Sequence, residues 1–242
     1  MDTGCEAMWV LGDRLLVMTT TVLDREMFAE TEAARLLRVS QSTLHWWLDG
    51  GTYRDRHYRP VIRSEATGGR SVTWAEFVEA GLLREYRRTH GVALSELRTV
   101  INRLRDEYGS PYPLAHHRPF VGPGRQLLLE VQQEAGLDGD LCLVAVANDQ
   151  LVLTPAVESF VQRVEWAEDI AVSWRPHDDP RSPVRMAPDV RFGKPAVKGV
   201  STEALWEHVE SGEDLAEVAT AFDLEVDEVR WALAYETSFR AA

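Results

Sequence analysis

The apolar positions near the start of the chain predict two short helices. The first has Thr31 as its cap and carries the apolar Ala34 and Leu37. The second has Ser40 as its cap and ends at Gly50-Gly51. About three residues separate the two helices, which is the spacing of a helix-turn-helix unit.

The second predicted helix has an apolar face and a polar face. Leu44, Trp47 and Leu48 stand at positions i, i+3 and i+4 and are expected to be buried. Trp46 fits either a contact to nucleic acid or a place in the core or in a dimer. The polar face is expected to point outward and carries Gln41, Ser42, His45 and Asp49.

The residues after this helix predict a β-hairpin wing. An arginine-rich loop, residues 54–59, comes first. Val61-Ile62 and Ser71-Val72 follow as short β segments on either side of Gly68-Gly69, which can adopt the positive φ of a tight turn.

Two further helices are expected between the wing and residue 110. The first is capped by Thr73, and the second runs from Ser95 to the Gly109 stop. The apolar positions expected to be buried are Phe77, Val78, Leu82 and Tyr86 in the first, and Leu97, Val100, Ile101 and Leu104 in the second.

The pattern changes in the second half of the chain. The runs "RQLLLEV", "LCLVAVA" and "QLVLT" are short, apolar and separated by turn residues, so they predict strands. The run "PAVESFVQRVEWAED" fits a strand or a helix. The stretch "RPHDDPRSPVRMAPD" holds four prolines and predicts a linker. Beyond it, three short amphipathic stretches predict a compact three-helix bundle.

These elements predict an α+β fold that is mainly α. Two cysteines in a chain of this length imply no disulfide framework, which fits a cytoplasmic protein. The predicted segments are an N-terminal extension with a small hairpin (1–22), a winged helix-turn-helix (23–110), a strand-rich middle (111–175), a linker (176–188) and an acidic three-helix domain (189–242).

Charge is distributed unevenly along the chain. Residues 1–125 hold 17 arginines against 16 acidic residues, whereas residues 126–242 hold 9 basic against 23 acidic residues. Within residues 35–70 the local balance is 7 arginines against 3 acidic residues. Because salt screens charges beyond roughly 10 Å, the overall net charge of -13 does not exclude a basic, DNA-binding patch.

The N-terminal half resembles the MerR-type winged helix-turn-helix over roughly Phe28 to Tyr108. The resemblance rests on "TEAARLLRVSQSTLHWW", "VIRSEATGGRSVTW" and "LLREYRRTHGVALSELRTVINRL". In that family the second helix enters the major groove, and the wing and nearby arginines hold phosphates. His45 stands where the family usually has an arginine.

The C-terminal segment from Asp189 to Glu236 resembles a small domain family that carries "GKP-x-x-x-G" before a three-helix bundle. Here the motif is "GKPAVKG". Members that also carry a MerR-like domain resemble VapB-type antitoxins encoded beside PIN-domain toxins. The resemblance implies an antitoxin that binds operator DNA as a homodimer and neutralises a PIN-domain-like ribonuclease.

Candidate DNA-binding residues come from the exposed helix face and the arginine cluster. Base contacts are expected from Gln41, Ser42 and His45, because glutamine can pair bidentately with adenine and serine with several base edges. Phosphate contacts, which set register and affinity, are expected from Arg54, Arg56, Arg59, Arg63 and Arg70.

The C-terminal bundle is too acidic to contact DNA. Residues 202–236 hold 11 acidic residues against Arg230 alone. The bundle is therefore expected to bind a basic protein surface, to self-associate, or only to keep the protein in solution. The candidate residues for association with the toxin or with a second copy are Arg175, Trp206, Trp231, Tyr235 and Arg240.

Two other functions remain open at this stage. A single-component regulator would sense a small molecule through its middle region. A metal-dependent hydrolase would use the sequence His177, Asp178 and Asp179, but no partner ligands stand at informative spacing. The sequence therefore predicts neither an enzyme nor a cofactor or metal, and no membrane association.

Overall fold

The computed structural model describes residues 22–90, 97–137, 142–147 and 150–241, so the hairpin predicted within residues 1–22 lies outside the described residues. The helices are α1 (Glu30–Leu37), α2 (Gln41–Asp49), α3 (Trp74–His90), α4 (Leu97–Tyr108), α5 (Pro123–Glu134), α6 (Pro155–Arg163), α7 (Thr202–Glu210), α8 (Leu215–Ala221) and α9 (Val226–Arg240). The strands are β1 (Glu26–Ala29), β2 (Gly51–Tyr53), β3 (Arg56–Tyr58), β4 (Ser71–Thr73), β5 (Val144–Ala147), β6 (Gln150–Leu153), β7 (Val164–Ala167), β8 (Ile170–Trp174), β9 (Ala196–Val197) and β10 (Val200–Ser201). The α+β, mainly α fold is thus confirmed.

The helix-turn-helix pair forms as the spacing predicts, with one difference at its start. Ser40 caps α2, since its hydroxyl accepts a hydrogen bond from the Thr43 amide at 3.1 Å. Thr31, however, is not a cap, because α1 begins one residue earlier, at Glu30. Ala29 is its N-cap and makes no side-chain cap bond.

The predicted wing is wrong in its position. The hairpin is formed by β2 and β3, within the segment predicted to be a loop. Val61 and Ile62 form no strand, because both of their amides donate to the Trp47 carbonyl at 2.9 Å, which satisfies a free acceptor at the end of α2. Strand β4 pairs with β1, so its partner lies more than forty residues earlier in the chain.

The helices after the wing are confirmed. Thr73 caps α3 in a reciprocal arrangement: its hydroxyl accepts from the Glu76 amide at 3.2 Å, and the Glu76 carboxylate accepts from the Thr73 amide at 2.9 Å. The predicted apolar faces of α3 and α4 are fully buried. Ser95, the predicted start of α4, lies outside the described residues.

The middle region contains more helix than its sequence pattern predicts. The run "RQLLLEV" belongs to helix α5, with Pro123 at its first position, and not to a strand. The runs "LCLVAVA" and "QLVLT" supply the antiparallel β5 and β6, as predicted. The ambiguous run "PAVESFVQRVEWAED" is both: helix α6 leads directly into strand β7.

The middle region is not a separate body, because it shares one hydrophobic core with the helix-turn-helix. The Trp74 indole at the start of α3 donates to the Ala171 carbonyl in β8 at 2.7 Å. Phe77 packs edge-on against Trp174 with ring centroids 5.2 Å apart. The helix-turn-helix pair therefore rests on a scaffold that extends from Leu23 to Met186.

The proline-rich segment 176–188 is packed rather than extended as a linker. Val184 and Met186 are completely buried, and Met186 exchanges two backbone hydrogen bonds of 2.8 Å with Trp174. Arg163 fixes the start of the segment, because its buried guanidinium donates to the Asp178 carboxylate and the Pro176 carbonyl, both at 2.8 Å. These contacts attach both ends of the segment to the rest of the protein.

The three-helix bundle has its own core and docks on α1. The Arg35 guanidinium lies 4.4 Å from the centre of the Phe239 ring, and Arg38 donates to the Ser238 hydroxyl at 2.7 Å. In the "GKP" motif, Gly193 has φ +76° and lies so close to β1 that a Cβ would meet the Phe28 ring at 2.8 Å. A side chain at this position would therefore separate the bundle from β1.

Across the part of the chain that the structure describes, no helix has both the length and the apolar character that crossing a bilayer requires.

Candidate nucleic-acid interface

Helix α2 presents an open polar face beside a buried apolar one. Leu44, Trp47 and Leu48 are buried as predicted, while Gln41 and Ser42 at the start of the helix are exposed. Trp46, on the same side as these residues, is 36% exposed. The predicted outward position of Asp49 is wrong: only 7% of this residue is exposed, because its carboxylate turns inward to an arginine.

A buried carboxylate holds the polar face in place. Glu30, the first residue of α1, is 1% exposed. Its two oxygens accept from Gln41 at 3.3 Å and approach His45 Nδ1 at 3.1 Å. The Arg70 guanidinium donates to the same carboxylate at 3.0 Å. His45 is therefore oriented by Glu30 and leaves its other ring nitrogen for a contact outside the protein.

The hairpin β2–β3 extends this face with exposed cations. Its strands pair Gly51 with Tyr58 and Tyr53 with Arg56. The turn residues Arg54 and Asp55 have φ of 48° and 62°, which gives the right-twisted two-residue turn that closes such hairpins. Arg54, Arg56 and His57 are exposed, and the Arg54 guanidinium lies 5.2 Å from the centre of the Tyr53 ring.

Close packing between α2 and the hairpin fixes their relative position. The Trp46 ring meets the Tyr58 ring edge-on at 5.6 Å. A Cβ on Gly50, which has φ +66°, would lie 2.1 Å from the Tyr58 carbonyl oxygen. Only glycine allows this approach, so Gly50 both ends the helix and seats the hairpin beside it.

Arg63 does not belong to the open face, which corrects the prediction that it binds phosphate. Its side chain is 6% exposed and donates to Asp49 at 2.9 Å and to Glu76 at 2.7 Å. Burial alone lowers the pKa of the guanidinium, but the hydrogen bonds and charges of Glu76 and Asp49 outweigh it and raise the pKa. Arg63 is thus an internal support that joins the end of α2 to the start of α3.

The pKa of the Asp49 carboxylate shifts in the opposite direction to that of Arg63. Burial raises its pKa, but the Thr67 amide and the Arg63 guanidinium together lower it by more than burial raises it. The pKa of Asp49 therefore lies below its ordinary value. Both partners therefore stay charged at neutral pH, and their charges are neutralised within the protein.

The remaining predicted phosphate contacts are exposed. Arg59 follows the hairpin, and its carbonyl oxygen accepts from the Arg98 guanidinium of α4. The Arg70 side chain is 68% exposed although it pairs with Glu30. The structure thus brings Arg54, Arg56, Arg59 and Arg70 to the outside, while Arg63 is removed from this group.

Residues 184–235 match the family "Protein of unknown function (DUF433)". This DUF433 match includes the "GKPAVKG" motif and the three-helix bundle. It begins five residues before the predicted domain boundary at 189, and the difference includes the buried Val184 and Met186.

Two mycobacterial proteins resemble the chain over most of its length. "Uncharacterized protein Rv2308" of Mycobacterium tuberculosis is 28% identical over 237 residues, which cover 92% of this chain and 95% of that protein. The crystal structure of Rv2018 from Mycobacterium tuberculosis superposes with a TM-score of 0.70 and 24% identity, covering 87% of this chain and 99% of the other. The second similarity establishes a shared fold.

The residues predicted to associate with a toxin or with a second copy of the chain are only partly accessible. Tyr235 is 2% exposed, so it belongs to the core of the bundle and not to a docking surface. Trp206 and Trp231 are half-buried, against Arg240 and His177 respectively. The Arg240 side chain is 41% exposed and lies 3.4 Å from Glu236.

The Arg175 guanidinium is hydrogen-bonded to backbone carbonyls near it. Its guanidinium donates to the His177 carbonyl at 3.3 Å and to the Gln162 carbonyl at 3.2 Å. Burial lowers the pKa of this group, and the charge of Arg185 lowers it further. An arginine held in this way is poorly placed to reach into another protein.

The sequence His177, Asp178 and Asp179 is not gathered into one site. Asp178 pairs with Arg163, Asp179 pairs with Arg181 at 2.7 Å, and the His177 ring packs on Trp231. Each side chain of the proposed hydrolase triad therefore has a different neighbour.

Sequence reasoning missed Glu30 and the hairpin tip. In the sequence Glu30 lies just before the predicted Thr31 cap, and nothing in its spacing shows that it contacts His45 and Gln41. The hairpin left a recognisable signal, because Tyr53 and Tyr58 flank a short polar segment that contains Asp55.

Proposed function

We propose that the protein is an operator-binding antitoxin: its N-terminal half binds DNA, and its C-terminal DUF433 segment contributes to neutralising a ribonuclease toxin. The observation that carries the proposal is the open face formed by the start of α2 and the β2–β3 hairpin. Helix α2 has the width to enter a major groove, and its exposed Gln41 and Ser42 are base-reading side chains.

The charges on this face support contact with a polyanion. Arg54 and Arg56 at the hairpin tip and Arg59 beyond it are exposed. They lie beside the helix, which is where side chains that contact phosphates flank a recognition helix. The acidic excess of the chain lies in its second half, but the side of the bundle that docks on α1 carries Arg240. Salt screens the repulsion from acidic residues more than roughly 10 Å from the open face.

Operator recognition favours a homodimer. A single open face with few base-reading residues recognises only a short half-site. Two copies on half-sites about one helical turn apart multiply the affinity of one. The proposal therefore includes two copies of the chain on a palindromic operator.

The surface of the bundle supports a basic protein partner. Most of its acidic side chains are exposed, on all three helices and on the loops between them. A ribonuclease binds RNA through a basic groove, and an acidic surface is complementary to such a groove. The exposed acidic residues are Glu203, Glu207, Glu210, Glu213, Asp214, Glu217, Asp223, Glu225 and Asp227. The resemblance of residues 189–236 to antitoxin-associated domains supports a PIN-domain-like ribonuclease as this partner.

Co-expression with the product of the adjacent gene tests both parts of the proposal. We expect the two proteins to purify together, the purified complex to lack the RNase activity that the partner shows alone, and the chain to retard a duplex from upstream of its own gene. If the chain purifies alone and leaves RNase activity unchanged, the antitoxin function is wrong. Retained DNA binding with no protein partner would instead favour a single-component transcription regulator.

A further inference from the structure

A cleft separates the turn of the helix-turn-helix from the last helix of the bundle. Its volume is about 480 Å³, and it opens next to the start of α2. Three arginines from two distant parts of the chain converge on it. The residues that line it are Arg35, Arg38, Val39, Ser40, Phe239 and Arg240.

The positive charge of the cleft is only partly neutralised. Arg35 lies over the Phe239 ring, and Arg38 donates to the Ser238 hydroxyl, so both contacts are with uncharged groups. Arg240 alone has a carboxylate, Glu236, at 3.4 Å. No acidic residue is among the described residues that line the cleft. In a chain with 39 acidic against 26 basic residues, such a concentration of cations runs against the overall composition.

An unpaired hydroxyl marks the inner end of this region. A smaller cavity of about 150 Å³ shares Arg35, Phe239 and Arg240 with the cleft, and Tyr235 lines it. Tyr235 is 2% exposed, and its hydroxyl has no hydrogen-bond partner among the described residues. A buried hydroxyl without a partner costs roughly 1–3 kcal/mol, and the two arginines that share its cavity, Arg35 and Arg240, also line the cleft, so an unsatisfied polar group lies beside the cationic site.

The carboxylates of the smaller cavity do not change this conclusion. Glu236 is already bound, because it accepts from the Thr202 hydroxyl at 2.6 Å and faces Arg240. Glu32 and Glu203 line the smaller cavity but not the cleft. The cleft itself is therefore the anion-binding part.

We propose that this cleft binds a phosphate group, and that the phosphate belongs to the DNA backbone beside the start of α2. Guanidinium groups bind phosphate through paired, charge-assisted hydrogen bonds. The first amides of α2 add the positive end of a helix at the same place. The source of the phosphate rests on the proposed DNA binding. Under this proposal the C-terminal helix completes the DNA-binding surface through Arg240.

Two variants and one matched control test the proposal. Arg38→Gln and Arg240→Gln each remove one charge from the cleft. Arg230→Gln removes one charge from the same helix as Arg240, but Arg230 is exposed and pairs with Asp227 away from the cleft. Affinity for a short duplex of random sequence is measured between about 50 and 200 mM salt. In parallel, thermal unfolding is measured in phosphate and in chloride at matched ionic strength.

We expect both cleft variants to bind the duplex about 3- to 10-fold more weakly than the wild type, with a salt slope reduced by about 0.9, and Arg230→Gln to resemble the wild type. If the wild type binds DNA and both cleft variants match Arg230→Gln, the cleft proposal is wrong and the proposed function stands. If neither the wild type nor any variant binds DNA, the proposed function fails. A phosphate-dependent rise in Tm that is lost only in the cleft variants would then assign the cleft to a free phosphate. The absence of such a rise would overturn the cleft proposal.

Discussion

Replacing Arg63 with alanine is expected to lower the free energy of unfolding by about 3–5 kcal/mol. The guanidinium is buried between Asp49 and Glu76, and it also donates to the Ser71 carbonyl at 2.8 Å. Removing it leaves two buried carboxylates without their counter-ion, which costs far more than losing an exposed ion pair. Urea unfolding at pH 7, followed by circular dichroism, measures the effect.

Arg56→Ala is the matched control for this experiment. Arg56 is exposed on the hairpin, so its loss is expected to change stability by less than about 0.5 kcal/mol. Arg63→Lys should lie between the two, because a lysine keeps the charge but reaches only one carboxylate well. If Arg63→Ala unfolds like the wild type, the internal ion pairs do not join α2 to α3. Loss of DNA binding in Arg63→Ala would report unfolding and not a lost phosphate contact.

Replacing Glu79 with glutamine is expected to flatten the dependence of stability on pH. Burial raises the pKa of Glu79 to about 8, and the Arg105 charge and the Leu114 amide offset this only in part. The folded protein therefore holds a proton that the unfolded chain releases near pH 4.5. Since the folded pKa is the higher one, the stabilisation is complete below about pH 4.5 and is lost as pH rises through about 8.

Glutamine has no proton to lose and keeps an acceptor for the Leu114 amide, which now donates to Glu79 at 2.8 Å. We expect Glu79→Gln to be more stable than the wild type above pH 8 by about 3–5 kcal/mol, and the difference to shrink towards pH 5. Glu65→Gln, at an exposed position, should follow the wild type throughout. Denaturant unfolding from pH 5 to 9 tests this, and parallel curves for Glu79→Gln and the wild type would contradict a neutral buried carboxyl group.

The sequence predicted those elements whose determinants are local. Ser40, the spacing of Leu44 and Leu48, and Gly50 together define α2 within eleven residues. Thr73 starts α3 with a capping pair that spans four residues. The bundle helices likewise show their apolar spacing directly, and the structure confirms all of these.

The errors concern features that depend on distant parts of the chain. Ser71 and Val72 were assigned to a local hairpin, but their partner is β1, and no local pattern reveals this pairing. Three consecutive leucines at 127–129 fit a strand or a helix equally, and Pro123 was the overlooked sign of a helix start.

The misplaced site residues have the same cause. Arg63 was assigned to the surface because arginines are usually exposed, yet Asp49 and Glu76 converge on it only after folding. Tyr235 was assigned to an association surface, yet it is buried in the bundle core together with Val184 and Val197, which come from segments outside the three helices. The local signals gave the helix-turn-helix face, and the long-range contacts decided which charges remain available on it.

Hydrogen–deuterium exchange with and without duplex DNA tests the central claim most directly, because it locates the contact surface without changing any residue. The account predicts slower exchange in residues 40–58, which include α2 and the β2–β3 hairpin, and unchanged exchange in residues 202–221 of the acidic bundle. Protection confined to the bundle, or exchange of residues 40–58 that saturating DNA leaves unchanged, would contradict it.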